Sequence, residues 1–130
     1  MSYSEETLAN LELGQIEEAK KKFAWALRKD DDDTLFSLAE ELYSLGFSSM
    51  SKRTYHLLLE RYPNEDELRT ALADIAISEG QDDQALNYLS EIKATSPAYL
   101  EALLVEADLY QTQGLFEVSE QKLLTASQIA

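Results

Sequence analysis

Cysteine is absent from this chain of 130 residues. That excludes a disulfide framework, a thiolate metal site, a cysteine nucleophile and thiol redox chemistry. Histidine is nearly absent: His56 is the only one, so no multi-histidine metal site or second imidazole partner can be assembled. Glycine (4) and proline (2) are scarce, which argues against a turn-rich all-β protein and for helices. Basic residues are few, 11 against 25 acids, and the net charge of −14 disfavours nucleic acid and anionic membranes as partners. No apolar run approaches the ~20 residues of a membrane span. The N-terminal MSYSEETLANLELG lacks a basic-then-apolar signal sequence. No P-loop, GxGxxG or GxSxG motif occurs, so the chain reads as non-enzymatic, with neither a cofactor nor a metal. A hydrophobic fraction of 45% is ample for a packed core. The expectation is an all-α, cytoplasmic protein.

What is present is a repeat. The four glycines are Gly14, Gly46, Gly80 and Gly114, at spacings of 32, 34 and 34 residues. Aligned on them, other columns appear. Five residues after each stands a small side chain: Ala19, Ser51, Ala85, Ser119. Nine after stands a large one: Phe23, Tyr55, Leu89, Leu123. Twelve after come Ala26, Leu58, Ile92 and Ala126; seven before come Thr7, Ala39, Ala73 and Ala107. Apolar residues recur at helical spacing on both sides of each glycine, as in Leu68, Leu72, Ile75 and Ala76, then Ala85, Leu86, Leu89 and Ile92. The pattern predicts antiparallel helix pairs that reverse at a glycine able to take a left-handed conformation. Small residues before and after the turn allow close approach.

Eight helices are predicted, over 3–13, 16–29, 33–45, 48–61, 65–79, 82–94, 98–112 and 115–129. Asn64 with Glu67 reads as a capping box, Ser96-Pro97 as an N-cap and first helical residue, and Asp82 and Asp83 as dipole-favourable acids. The run Asp30 to Asp33 could suggest a divalent-cation loop. Counted from Asp30, however, the calcium-loop pattern needs glycine at its sixth place and finds Leu35. The run therefore reads as an interhelix turn with an N-cap. Trp25, the only tryptophan, lies two residues after Phe23 and should point away from the core side. It reads either as a half-buried outer aromatic or as a contact for a partner or second subunit.

These columns resemble the tetratricopeptide-repeat family, in its multi-repeat, cytoplasmic, bacterial form. The best stretches are LGQIEEAKKKFAWAL, LLLERYPNEDEL, ISEGQDDQALNYLSEI and ADLYQTQG. The resemblance implies a right-handed α-solenoid of four repeats in a single array over 1–130, with repeats at about 1–32, 33–65, 66–99 and 100–130. Departures are Ser51 and Ser119 where alanine is preferred, Arg69 at a usually apolar position, and Glu6, Thr7 and Asn10 at usually buried ones. Such arrays finish with a polar capping helix. None follows Gln128-Ile129-Ala130, so the chain reads either as an N-terminal fragment of a longer array, the favoured expectation, or as one whose last face another molecule covers.

The resemblance also implies that the first helix of each repeat lines a concave groove. The inward positions are Met1, Ser4, Leu8, Leu11 and Glu12, then Asp33, Phe36, Glu40, Tyr43 and Ser44. They continue with Glu67, Thr70, Asp74, Ile77 and Ser78, then Glu101, Leu104, Asp108, Gln111 and Thr112. Of these 20 positions seven are acidic, seven apolar and none basic. Ten of the 11 Lys/Arg residues fall on the second helices, Arg69 being the exception. The implied function is a protein-interaction scaffold. Its partner would be a basic, amphipathic peptide or helix held by Phe36, Glu40, Tyr43, Thr70, Asp74, Ile77, Leu104, Asp108 and Gln111. The alternatives are a regulatory segment of a longer protein, or homodimerisation through the uncapped last helices (Leu115, Phe116, Leu123, Ile129) or the Trp25 surface.

Overall fold

A computed structural model describes residues 1–129; Ala130 lies outside the described residues. Eight α-helices account for most of them: α1 (Tyr3–Glu12), α2 (Ile16–Lys29), α3 (Asp32–Ser44), α4 (Ser48–Arg61), α5 (Asp66–Ser78), α6 (Asp82–Ser90), α7 (Tyr99–Thr112) and α8 (Phe116–Ile129). No strand occurs among the described residues. Seven helices match their predicted spans to within a residue or so at each end. The exception is α6, which stops at Ser90, leaving 91–98 as turns. Lys93 therefore lies beyond the helix end and not on a second helix.

Consecutive helices pair as hairpins, α1 with α2, α3 with α4, α5 with α6 and α7 with α8. The glycines explain the reversals. At Gly46 the backbone turns with φ of +91°, and no non-glycine residue has positive φ among those described. A side chain at Gly46 would meet nothing within 4 Å, so backbone conformation and not crowding demands glycine there. The turn closes with two bonds: the Gly46 N–H donates to Tyr43 O at 3.0 Å and the Phe47 N–H to Leu42 O at 2.8 Å. This is the Schellman arrangement, and the other three glycines repeat it.

The chain divides into two units, Met1–Pro63 and Asn64 onward. In the first, the buried stripe of α3 (Leu35, Leu38, Ala39, Leu42) packs on α4, and α1 also touches α3. Phe23 and Ala26 of α2, with Tyr55 and Leu58 of α4, are buried there too. In the second unit, Ala73 and Ala76 of α5, Ala85 and Leu89 of α6, Ile92, and Ala102 and Leu109 of α7 share one cluster.

Two of the expected caps differ. Glu65, not Asn64, stands at the N-cap of α5, and no side-chain bond caps that helix. Ser96 caps a turn and not the helix: its Oγ accepts from the Ala98 N–H at 3.1 Å, and α7 begins beyond Pro97. The aspartate run behaves as a turn. Asp31 is the N-cap of α3, accepting from the Thr34 N–H at 2.8 Å, with Asp32 and Asp33 in the first turn.

The departures from the repeat pattern have local reasons. The Ser51 Oγ donates to Ala39 O and the Ser119 Oγ to Ala107 O, both at 2.7 Å. A buried hydroxyl thereby ties the two small-residue columns together across the hairpin, and burial costs little because the donor is satisfied. Thr7 is buried with its Oγ1 donating to Tyr3 O at 2.8 Å. Asn10 leaves the core, donating from its amide to Gln15 Oε1.

Candidate partner-binding surface

Three first helices carry the candidate residues at the same spacing. Phe36, Glu40 and Tyr43 lie on α3; Thr70, Asp74 and Ile77 on α5; Leu104, Asp108 and Gln111 on α7. Residues at i, i+4 and i+7 share one helical face. That face lies beside the buried stripe of each helix, so the same periodicity that fills the core leaves it open.

In the first unit, Glu40 is exposed while Phe36 and Tyr43 are half-buried. The Phe36 ring lies 6.4 Å from that of Tyr62 at the end of α4. In the second unit, Asp74, Asp108 and Gln111 are exposed, Thr70 is half-buried with its hydroxyl donating to Glu67 O, and Ile77 packs partly on the core cluster. Leu104 is exposed and shares a shallow apolar depression of about 280 Å³ with Leu100, Leu123, Ala126 and Ser127. It thus faces the α7/α8 seam. Ser4 and Leu11 are buried and offer nothing to a ligand.

The electrostatics of α5 and α7 are uneven. Partial burial lifts the Asp74 carboxyl above the ordinary aspartate range, and the negative charge of Glu101 on α7 raises it further. No ion pair engages Glu40, Asp74, Glu101 or Asp108 among the described residues. Cations are instead engaged elsewhere. Arg69 bridges Asp66 at 2.9 Å and Glu91 at 3.1 Å, tying the start of α5 to the residue after α6. This explains its place in a usually apolar column.

The hairpins of the first unit are clasped at the end away from their glycine turns. Asp30 accepts from the Ser4 N–H at 2.7 Å and the Ser4 hydroxyl at 2.6 Å. Asp32 accepts from the Arg61 guanidinium and the Tyr62 hydroxyl. The Tyr62 bond, then Arg61, holds the Asp32 carboxyl below its usual range, and the same bond pushes the Tyr62 hydroxyl up. Thr34 likewise lowers Asp31.

Sequence reasoning missed one feature, an ion pair eight residues either side of a turn glycine. Glu6 meets Lys22 at 3.6 Å across Gly14, and Glu106 meets Lys122 at 3.7 Å across Gly114. The middle repeats carry Leu38 with Thr54 and Leu72 with Tyr88 at those positions. The signal was available: opposite charges at matched offsets from a hairpin turn. Glu106 is buried, and desolvation raises its carboxyl despite the opposing pull of Lys122.

This architecture matches known proteins. A family model described as "Tetratricopeptide repeat protein 21 ARM repeat" matches residues 9–114. The TPR repeat-containing protein YpiA of Bacillus subtilis (strain 168) is 37% identical over 125 residues, covering 96% of this chain and 30% of that protein. The chain thus spans about 30% of the length of that curated relative. A crystal structure of MamA superposes with a TM-score of 0.72 at 11% identity, over 97% of this chain and 75% of that one. An arginine-to-glutamate mutant of MamA gives 0.69 at 14% identity, over 98% and 95%. At such identities the structures speak for the fold, a helical repeat solenoid. With glycine-hinged hairpins, small-residue columns and a matching family model in agreement, the chain belongs to the tetratricopeptide-repeat family.

Proposed function

We propose that the chain is a non-enzymatic, cytoplasmic scaffold that binds a basic, amphipathic segment of another protein on the open faces of its first helices. Tetratricopeptide-repeat proteins generally mediate protein–protein interaction. The finer reading rests chiefly on one observation: exposed Asp74 and Asp108 lie on the open faces of α5 and α7, and neither they nor Glu101 is engaged in an ion pair among the described residues. Burial first, and then the charge of Glu101, raises the Asp74 carboxyl. A lysine or arginine placed there would gain a charge-assisted bond. Ile77 supplies apolar contact beside it, and Asp108 a second acceptor. In the first unit, Glu40 between Phe36 and Tyr43 offers the same combination of one acid with two half-buried rings. Helices already packed in place lose little freedom on binding.

The test is calorimetric titration with a synthetic helix of lysine and leucine. Asp74→Lys with Asp108→Lys should weaken binding at the second unit about tenfold or more, a loss of roughly 1.4 kcal/mol, and Glu40→Lys should weaken binding at the first. All three residues are exposed, so circular dichroism should be unchanged. Equal affinity for the variants and the parent would refute the assignment.

Self-association is a second reading, favoured by exposed Leu115, Phe116, Leu123, Leu124 and Ile129 at α8. Sedimentation at rising concentration separates the two: a monomer throughout removes it.

A further inference from the structure

The first unit carries a surface of opposite character to the acidic faces. Trp25 is 45% exposed and Tyr3 36% exposed, and their rings stack at 6.1 Å with an interplanar angle of 26°. The Arg28 guanidinium lies 5.6 Å from the centre of the Trp25 ring, within cation–π range. Lys29 stands one turn beyond Trp25 and Lys21 one turn before it, so α2 presents a tryptophan flanked by cations along one stripe.

Charge accounting separates these cations. Lys21 is paired with Glu18 at 3.4 Å and Lys22 with Glu6 at 3.6 Å. Asp30, directly after Lys29, accepts from the Ser4 N–H and hydroxyl and keeps its negative charge, so the positive stripe ends there. Arg28 and Lys29 are exposed, and neither forms an ion pair with a carboxylate among the described residues. Exposed Arg53 and Lys93 likewise form no ion pair among the described residues. What sets Arg28 and Lys29 apart is their place beside an exposed, stacked tryptophan on a helix that carries five basic residues against two acids. The aromatic pair is held by stacking and by Arg28, so a ligand would find it already ordered. Tryptophan and arginine are also the side chains that most often anchor interfaces.

We propose that the Tyr3–Trp25–Arg28 surface, with Lys29, is a second docking site, for an acidic peptide segment bearing an apolar or aromatic side chain. The apolar side chain would lie against the exposed part of the Trp25 and Tyr3 rings, and carboxylates would bond Arg28 and Lys29. The exposed Arg28 guanidinium can donate two parallel hydrogen bonds to a carboxylate. The protein's overall negative charge opposes such a ligand at long range. At physiological salt that repulsion is screened beyond about 8 Å, whereas contact pairs persist. The site is independent of the acidic faces proposed above.

Trp25 is the only tryptophan, so its fluorescence reports on this surface alone. The experiment titrates the chain at physiological salt with a short synthetic peptide alternating glutamate with leucine and phenylalanine. A lysine-for-glutamate version serves as the comparison. The expected result is a saturable blue shift of Trp25 emission with the glutamate peptide only. Arg28→Glu with Lys29→Glu should raise the dissociation constant about tenfold or more. The milder Arg28→Gln with Lys29→Gln should raise it less, and Lys93→Glu, in the other unit, not at all. No saturable change up to about 1 mM peptide, an equal response to the lysine peptide, or an unchanged constant in both double variants would overturn the proposal. So would a concentration-dependent shift without peptide that tracks a dimer in sedimentation, because the surface would then serve self-association. None of these readouts depends on the acidic faces of α3, α5 and α7.

Discussion

Leu72→Ala should lower the unfolding free energy by about 2–5 kcal/mol. Leu72 is fully buried, on the stripe where α5 also buries Leu68, Ala73, Ile75 and Ala76. Removing its branched end forfeits the transfer free energy of the lost carbons. It also leaves a cavity that stacked helices can collapse into only partly. Urea denaturation measures the loss. Leu104→Ala in the same unit is the comparator: Leu104 is 47% exposed, so its removal should cost no more than about 0.5 kcal/mol. Similar costs for the two would mean that α5 and α7 do not bury the faces described.

Lys122→Met should destabilise by about 1–3 kcal/mol at neutral pH, and the deficit should shrink on acidification. The Glu106 side chain is 5% exposed, and Lys122 is its partner. Deleting the cation strands a buried carboxylate, which ordinarily costs about 3–5 kcal/mol. Lys122 is itself 32% exposed, so water reaches one side of the pair and the expectation is set lower. The sign with pH follows from the direction of the Glu106 shift. Its carboxyl is already raised above the ordinary 4.5 by burial, so the folded chain holds that proton more firmly than the unfolded one. Such a group loses stability as pH rises from the unfolded value through the folded one. Without Lys122 the folded value climbs further, so the penalty is complete at neutral pH and fades below the range where Glu106 protonates. Denaturation of parent and variant across about pH 4–8 reads this out. A deficit constant across that range would show that Glu106 is not the group left uncompensated.

Much of the fold was legible because a helical hairpin repeat writes itself locally. Each glycine has to adopt positive φ, each small column has to let two helices close, and both demands fall on single positions. Hence seven helix spans could be placed from the pattern. The end of α6 was not legible. Ile92 stays buried although it lies beyond the helix, so its apolar period continued past the point where the backbone left helical geometry. The caps failed for a related reason. Asn64 and Ser96 have suitable side chains, but turns such as that bonded by the Tyr99 N–H to Ser96 O decide where each helix begins.

The candidate site was legible as positions and less so as an environment. Spacing put Thr70, Asp74 and Ile77 on one face. It could not show that Glu101 stands near enough to Asp74 to raise it, because that depends on how α5 and α7 meet around the shared cluster of the second unit. Leu104 illustrates the same limit. Its register matches Phe36 and Thr70, yet it opens on Leu123 and Ala126 of α8. The polar clasps were invisible for an opposite reason. Ser4 and Asp30 bond across 26 positions of sequence, and a run of charges alone does not name its partners.

The central claim is that the open faces of the first helices recognise a basic segment. Backbone amide shifts mapped by NMR during titration with the lysine–leucine helix test it most directly. The expected result is that the largest saturable changes fall on Glu40, Tyr43, Thr70, Asp74, Ile77, Asp108 and their neighbours, with little change in the 91–98 turns. Shifts confined to α8 or to the α2 stripe around Trp25, with α3, α5 and α7 silent, would contradict it.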